Sequence, residues 1–524
     1  MLKSRQYRLG LAVFLIATSA FATRWYSLSA YEVDWDEANR MSIAHSLNHG
    51  RTLYVDAWDH HTFLDILAFQ QVFRLLPPQI APKAIHLINI LIVIAICFLI
   101  FNLALRLASS FAAALFSAFV ASFLFSHEFF RSSNGELYHS LTSIVAFALY
   151  FLAERSRLKL IVIGLLLAAG FFIKQSAVFD IGAFLVIHWF CVRQNGRSVG
   201  DYARDLAWLG VGAAVVVLFS VTYFVWHRSL REALYGTFLD AFIYSTGGGF
   251  SDTLDRYEPT IKSEMSFLFH LHWLITAALV LACLCLFKRR LDPRASVLGQ
   301  AAFVWLAFVL VGIMSIGRFY HHYFIQLITP LSLVCAYAVA VLPGKCRVWA
   351  VTAGFLLLYV HPILFPKIND FISKAEYDPG AITRVAAFLR TNTRPGETIF
   401  LYKNSALCLY FLSERFSPVK TFMESQMLSE HKDGPALLAE GLRRWKDNPP
   451  QFIVTGQLPY SIPEMDALLN QDYRLHTKIG VFQIYKRKNT DRTAGRDRVK
   501  AIKPVARHWT LDQGICVSAW LPTL

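Results

Sequence analysis

Between Asp34 and His61 the chain gathers carboxylates and imidazoles at close spacing. Asp34-Trp35-Asp36-Glu37-Ala38 opens the stretch and Tyr54-Val55-Asp56-Ala57-Trp58-Asp59-His60-His61 closes it. It follows directly on a hydrophobic segment. Carboxylates clustered at a membrane surface are costly unless they pair with cations or do chemistry. Glu136, Lys174 and the group Arg318, His321 and His322 also stand at the ends of apolar runs. A carboxylate in such a cluster can take a proton from an attacking hydroxyl. Cations beside it can stabilise a phosphate as it leaves with its charge. That pairing suits glycosyl transfer from a lipid phosphate. Other roles compete: a Lys or Arg at a helix end also serves by snorkelling to headgroups, and His321 and His322 suit the interface equally well.

The elements that must hold these residues are membrane helices. Hydrophobic residues make up 55% of the 524, which marks a polytopic membrane protein rather than a soluble globule. The net charge of +15 would suit nucleic acid. The basic residues, however, fall in short loops between apolar runs, as the positive-inside rule requires, so nucleic acid is set aside. No CxxC pair occurs among the eight cysteines, which gives no support to a zinc or redox motif of that kind.

A helix needs about 20 apolar residues to cross a bilayer. The runs predict about eleven transmembrane helices, near 9–28, 84–105, 110–126, 137–153, 159–173, 176–192, 206–226, 267–287, 297–316, 322–342 and 348–366. The first is preferred as an uncleaved span, because Arg24-Trp25-Tyr26 reads as a helix end at the interface. With the N-terminus cytoplasmic, Lys3, Arg5, Arg8, Arg155, Arg157 and Lys288-Arg289-Arg290 lie inside. All the chemistry-bearing residues then lie on the extracytoplasmic side. Within the long first loop, 29–83, Asp36 to Leu47 and Phe63 to Leu76 predict two amphipathic helices lying in the interface. The run Gly247-Gly248-Gly249 suits a linker or a lid. The spans carry only mild polar residues at depth, such as Asn89, Asn102 and Gln300.

After residue 366 the texture becomes soluble. Helices are expected over Ile382–Arg390 and from Gly434 through Trp445, and strands over Thr398–Tyr402, Gln451–Thr455 and Val481–Tyr485. The division is a membrane module, 1–366, an extracytoplasmic α/β domain, 367–488, and a polar, basic tail, 489–524, expected to be disordered.

The pattern resembles the GT-C superfamily of polyprenyl-phosphate-sugar-dependent glycosyltransferases. The similarity is greatest to the branch of protein O-mannosyltransferases and of lipid A aminoarabinose or galacturonic acid transferases. The residues that carry it are Arg24-Trp25-Tyr26, Asp36-Glu37-Ala38, Tyr54 to His60, Arg131 to Glu136, the Lys174 turn and Arg318 to Tyr323. The resemblance covers roughly residues 1–487 and implies an α-helical GT-C-like fold with the small C-terminal domain. It implies an inverting membrane glycosyltransferase that moves a sugar from a polyprenyl phosphate to a lipid A, glycan or protein acceptor in a bacterial inner membrane. By that resemblance Asp36 is the catalytic base, Glu37 its acidic neighbour and Glu136 the acidic residue of the second loop. His60, His61, Lys174, Arg318, His321 and His322 are the candidates for the donor phosphate. The resemblance leaves room for a divalent ion, Mg or Mn, between Asp36 and Glu136. One departure matters: the family often has Lys-Pro after the Trp-Asp-His stretch, and here His61-Thr62 stands there. An imidazole replaces that Lys as a phosphate partner best when an anionic neighbour raises its pKa. Two other classes stay open, a transporter or flippase of lipid-linked sugars and a catalytically inactive envelope-assembly protein.

Overall fold

The computed structural model describes residues 2–59, 61–126, 130–240, 293–316, 320–352, 379–404, 406–427, 434–456, 458 and 461–488. The expected span at 267–287, the glycine run, most of 348–366, the 366/367 boundary and the tail lie outside these residues.

The membrane part is built of α1 (Leu2–Ala22), α4 (Ala81–Ala108), α5 (Phe111–Leu124), α6 (Gly135–Leu152), α7 (Arg157–Ile173), α8 (Ala177–Gln194), α9 (Val199–Trp226) and the helices Pro293–Ile316 and Ile325–Ala340. Five of the described helices are long and apolar enough to cross a membrane: Ala81–Ala108, Ala177–Gln194, Val199–Trp226, Ser296–Ser315 and His321–Ala340. Gln6–Ala22 and Phe111–Leu124 are shorter apolar helices. The chain is an integral membrane protein. The exposed apolar residues of α9, Val211, Val215, Leu218 and Phe219 among them, form a lipid-facing side.

Local chemistry sets the helix ends. Ser110 accepts the N–H of Ala113 and starts α5, and Ser198 with Asp201 forms a capping box at α9. Packing depends on small residues where helices cross. A Cβ on Gly164 of α7 would stand 2.0 Å from the Leu209 carbonyl oxygen of α9, and one on Gly212 1.9 Å from that of Ile161. Only glycine permits this approach, a common device between membrane helices.

Two short helices fill the loop after α1: α2 (Trp35–Leu47) and α3 (Leu64–Leu75). Both match the amphipathic stretches of the sequence. Yet α2 is buried on every side from Glu37 to Leu47, where one apolar face lying on a membrane surface was expected. The reason is that α3 and the helix Cys408–Ser413 of the C-terminal part cover it. Gly50, at φ +83°, turns the chain after α2.

The C-terminal part is a four-stranded sheet in the order β1-β2-β4-β3, made of β1 (Ile399–Tyr402), β2 (Phe452–Thr455), β3 (Tyr473–Ile479) and β4 (Phe482–Arg487). β1 and β2 run parallel, Ile399 opposite Phe452, and the other pairs are antiparallel. β3, absent from the sequence reading, is an edge strand whose residues are mostly solvent-facing; the hydrophobic alternation that reveals a strand is therefore weak there. The sheet part is docked onto the first loop. Ser42 Oγ donates to the Leu407 carbonyl at 3.0 Å, the Trp58 N–H to that of Lys420 at 2.9 Å, and the Cys408 N–H to the Glu32 carboxylate at 2.8 Å. One apolar core runs through both, from Met41 and Phe73 to Leu407 and Phe411.

Candidate active site

The site is built at the N-terminus of α2. Asp34 caps the helix, its carboxylate accepting the Asp36 N–H at 3.2 Å. Asp36 and Glu37 occupy the first turn, where the helix dipole favours negative charge. The two then diverge. Glu37, expected as a catalytic neighbour of the base, is fully buried and wholly engaged. It accepts from His86 Nε2 at 2.7 Å, from the Val33 N–H at 3.0 Å and from the Ser133 N–H at 2.5 Å. Its burial would oppose ionisation, but the His86 imidazole and these bonds outweigh it and hold the pKa below the ordinary value. Glu37 thus anchors the turn, both of its carboxylate oxygens taken up by these contacts. The Asp36 side chain, in contrast, is 26% exposed.

The second loop grips the same turn. Asn134 Nδ2 donates to Asp34 at 3.2 Å, and its carbonyl oxygen accepts from Arg40 Nη2. Arg40 donates to the Asp36 carbonyl at 3.0 Å and forms a buried ion pair with Asp65 of α3 at 2.9 Å. Gly135 follows; a Cβ there would meet Arg40 Nη1 and the Ile173 carbonyl, each at 3.3 Å. Glycine thus lets the start of α6 approach Arg40. Arg24, read from sequence as an interfacial cation, is fully buried and donates to the carbonyls of Phe125, Phe130 and Arg131, pinning the loop that precedes Ser132.

On the far side of Asp36 lies the turn His321–Phe324. His322 Nε2 is 3.8 Å from Asp36 Oδ2 and 3.9 Å from Glu136 Oε1. Glu136 is buried and ion-paired with Lys174 Nζ at 3.0 Å, and that ammonium lies 5.3 Å from the Tyr323 ring centroid. The structure brings Asp36, Glu136, Lys174 and His322 together. His321 opens the same turn. His61 lies close enough for its charge to act on Asp36. His60 and Arg318 fall outside the described residues. Sequence reading missed Arg40, Asp65, Asn134 and His86. Arg40 carried one signal, a cation four residues beyond Asp36 on the same helical face. It also missed ionisable residues inside the helices: His139 Nδ1 and Asp180 Oδ2 lie 3.2 Å apart near the starts of α6 and α8, and Asp205 of α9 meets Arg155 and Arg197.

The carboxylates of Asp34 and Asp36 are pushed in opposite directions. Burial raises the Asp34 pKa to about 7, with repulsion from Asp36 adding to it. Burial also opposes the ionisation of Asp36, but His322, His61, Arg40 and Lys174 outweigh it and hold its pKa below the ordinary value. Asp36 is thus the carboxylate of the two that favours the ionised form. Asp34 gives a test. Its folded pKa of about 7 exceeds the ordinary 3.8, so in between the folded chain holds the proton and the unfolded chain does not. Its contribution to stability is then present at acid pH and lost as the pH rises from about 4 to 7. Melting of the purified protein should show a fall across that window that Asp34→Asn flattens; an unchanged profile would refute the assignment.

One set of ligand atoms converges among the described residues: carboxylate oxygens of Asp34 and Asp36 and a ring nitrogen of His322, all within 4.8 Å of one another. Two oxygens and one imidazole suit a divalent transition ion such as Mn or Zn better than Mg, which prefers oxygen alone. Glu136, expected to share an ion with Asp36, is engaged by Lys174 instead.

The fold, a helical membrane bundle with a small docked sheet, is similar to that of several solved membrane proteins. The structure of ArnT from Cupriavidus metallidurans bound to undecaprenyl phosphate matches over 92% of this chain and 98% of its own, with a TM-score of 0.58 and 13% identity. The Archaeoglobus fulgidus oligosaccharyltransferase AglB, in complex with an inhibitory peptide and a dolichol-phosphate, matches over 93% of this chain and 75% of its own, with a TM-score of 0.52 and 11% identity. An Archaeoglobus fulgidus oligosaccharyltransferase in complex with Zn and sulfate matches over 85% of this chain and 68% of its own, with a TM-score of 0.50 and 12% identity. No family model matches the sequence, and no curated protein matches it.

Proposed function

We propose that this chain is a glycosyltransferase that moves a sugar, with inversion, from a polyprenyl-phosphate donor to a lipid, glycan or protein acceptor at the extracytoplasmic face. The observation that carries the reading is Asp36, an accessible carboxylate in a fixed turn, 3.8 Å from His322 and surrounded by cations. The fold it shares with ArnT bound to undecaprenyl phosphate supports the donor class.

In this reading Asp36 Oδ2 takes the proton of the acceptor hydroxyl. The hydroxyl oxygen forms a bond to the anomeric carbon as the bond from that carbon to the phosphate oxygen breaks. The lipid phosphate leaves with the electron pair, and Lys174, His61 and His322 face the charge that develops there. Arg318, His60 and His321 are further candidates for the same phosphate. Glu136 holds Lys174 in place, and Glu37 holds the turn that carries Asp36.

The fold family leaves room for a divalent ion, and Asp34, Asp36 and His322 are the residues that would hold it. Such an ion would supply positive charge to the leaving phosphate. A chelator should then lower the rate of sugar transfer, and Mn should restore it. Mn binding followed by spin resonance, without substrate, should be lost in His322→Gln. Full activity in excess chelator would exclude the ion from the reaction.

The reading as a whole is tested by deleting the gene and comparing lipid A, envelope glycans and envelope proteins by mass spectrometry. One glycan mass that disappears and returns with the wild-type chain names the acceptor. No change in any of the three would count against the proposal.

A further inference from the structure

The end of the bundle opposite Asp36 carries a second cluster of charged residues, which sugar transfer does not use. Glu136 lies in the first turn of α6 and Lys174 precedes α8, and each helix then runs 18 residues, about 27 Å. At the far ends, between 154 and 159 and between 193 and 205, stand six Arg or Lys residues and three acids. Asp205 of α9 organises them. It is 3% exposed, a costly place for a carboxylate unless it is paired. It accepts from Arg155 Nη2 at 2.7 and 2.9 Å and from Arg197 Nη1 at 3.0 Å, and His188 Nε2 lies 3.3 Å away. One carboxylate thus sets the direction of two guanidiniums from different loops and neutralises the charge of only one. Lys159 adds a third cation near Arg155, its ammonium donating to the Tyr150 and Ala153 carbonyls at 3.2 and 2.9 Å. The Arg155 side chain is 52% exposed, so part of its fork of donors is open to a ligand.

Two features say what kind of anion fits here. The cations are set among apolar and aromatic surface. Leu158, between Arg157 and Lys159, is 69% exposed. The Arg157 guanidinium lies 5.4 Å from the Trp208 ring centroid and that of Arg193 5.7 Å from Trp189. Basic and aromatic residues together mark the level of lipid headgroups. The second feature is a cavity of about 470 Å³ between the end of α8 and the start of the helix Pro293–Ile316, lined by Ile187, Phe190, Cys191, Val297, Ala301 and Val304. Gln194 and Gln300, 3.2 Å apart, also border it. Towards the other end the same two helices close up: a Cβ on Gly182 would stand 2.7 Å from the Phe308 ring, and one on Gly312 2.6 Å from that of Phe179. Cys191, in the cavity wall, also neighbours Tyr150, and the Tyr150 hydroxyl lies 2.9 Å from His188 Nδ1. Cavity and charged cluster therefore adjoin. A free phosphate would use the cations alone, whereas a phospholipid uses both.

We propose that this end of the bundle binds one anionic phospholipid, its phosphodiester held by Arg155, Arg193 and Arg197 and an acyl chain lodged between α8 and the helix Pro293–Ile316. Planar guanidiniums match phosphate oxygens in geometry as well as in charge. The site is distinct from the one around Asp36, and the inference does not depend on the transferase reading.

The test uses the purified full chain in neutral detergent, with phosphatidylglycerol as probe and native mass spectrometry as readout. Phosphatidylcholine has the same phosphodiester and chains without net charge, and glycerol phosphate has the headgroup without chains. The wild type should retain one phosphatidylglycerol, exchange it poorly for phosphatidylcholine and not lose it to glycerol phosphate. A basic residue beside an anionic lipid surface contributes about fivefold in affinity, so Arg193→Gln, an exposed change, should weaken retention by about that much. Arg155→Gln with Arg197→Gln should cost about 25-fold on the same scale. That pair leaves Asp205 buried without its partners, so Asp205→Asn is added to keep the chain folded. Val297→Phe, which fills the cavity and touches no charge, should also weaken retention. The proposal is overturned if phosphatidylcholine is held equally well, or if glycerol phosphate displaces the lipid. It is equally overturned if the triple variant melts as the wild type does and still holds phosphatidylglycerol, or if Val297→Phe retains it unchanged.

Discussion

Asp36→Asn is expected to abolish sugar transfer for practical purposes, lowering kcat by roughly 100- to 10,000-fold, the usual contribution of a positioned general base. The change is nearly isosteric and should leave the fold intact. The contacts that place residue 36 come from its backbone: its N–H donates to Asp34 and its carbonyl accepts from Arg40. The side chain is partly open and lies 3.8 Å from His322. The variant should therefore melt near the wild type and fail in turnover, with the donor KM changed much less than kcat. Complementation of a deletion strain gives the cellular version, in which a normally expressed Asp36→Asn protein leaves the glycan mass absent. Full restoration would remove Asp36 as the base and bring forward a transporter or an inactive assembly protein.

How much of this was legible beforehand depended on the kind of interaction. Five of the expected spans were legible because length and hydropathy are local properties of the chain. The run from Asp36 to Leu47 gave its helix through spacing and its end at Gly50, and the acidic turn stood out because charge next to an apolar segment is rare. Asp36, Glu136, Lys174 and His322 were legible only as residues at the ends of apolar runs, and the structure adds that they lie together. What stayed hidden depended on long-range partners. Glu37 and Asp36 are adjacent acids on one turn, and no feature of the sequence says that His86 and Ser133 close around one and leave the other open. Asn134 looks like an ordinary loop residue until it is seen between Asp34 and Arg40. Asp180 escaped notice because one carboxylate in a long apolar run hardly lowers its mean hydropathy. The enclosure of α2 was hidden because its cover comes from residues some 370 positions later, as in the bond from Ser42 to Leu407.

Arg40→Met should have the largest effect on stability, because Arg40 joins the first loop, α3 and the second loop at one buried point. Its guanidinium is 2% exposed and Asp65 is 1% exposed. Removing the cation leaves the Asp65 carboxylate buried without its partner, a change that typically costs about 3–5 kcal/mol. It also frees the Asp36 carbonyl and the Asn134 side chain. Melting of the purified protein should drop sharply, and transfer should be lost even well below the melting temperature. The second effect can be separated from the first. A neutral, well-packed replacement of both members of a buried ion pair is often tolerated, so Arg40→Met combined with Asp65→Leu should regain much of the lost stability. It should not regain transfer, since neither new side chain can hold the Asp36 carbonyl or orient Asn134 against Asp34. A double variant that recovered both stability and turnover would reduce Arg40 to half of an ion pair. One that recovers stability alone makes Arg40 the residue through which the second loop and α3 set the position of the base.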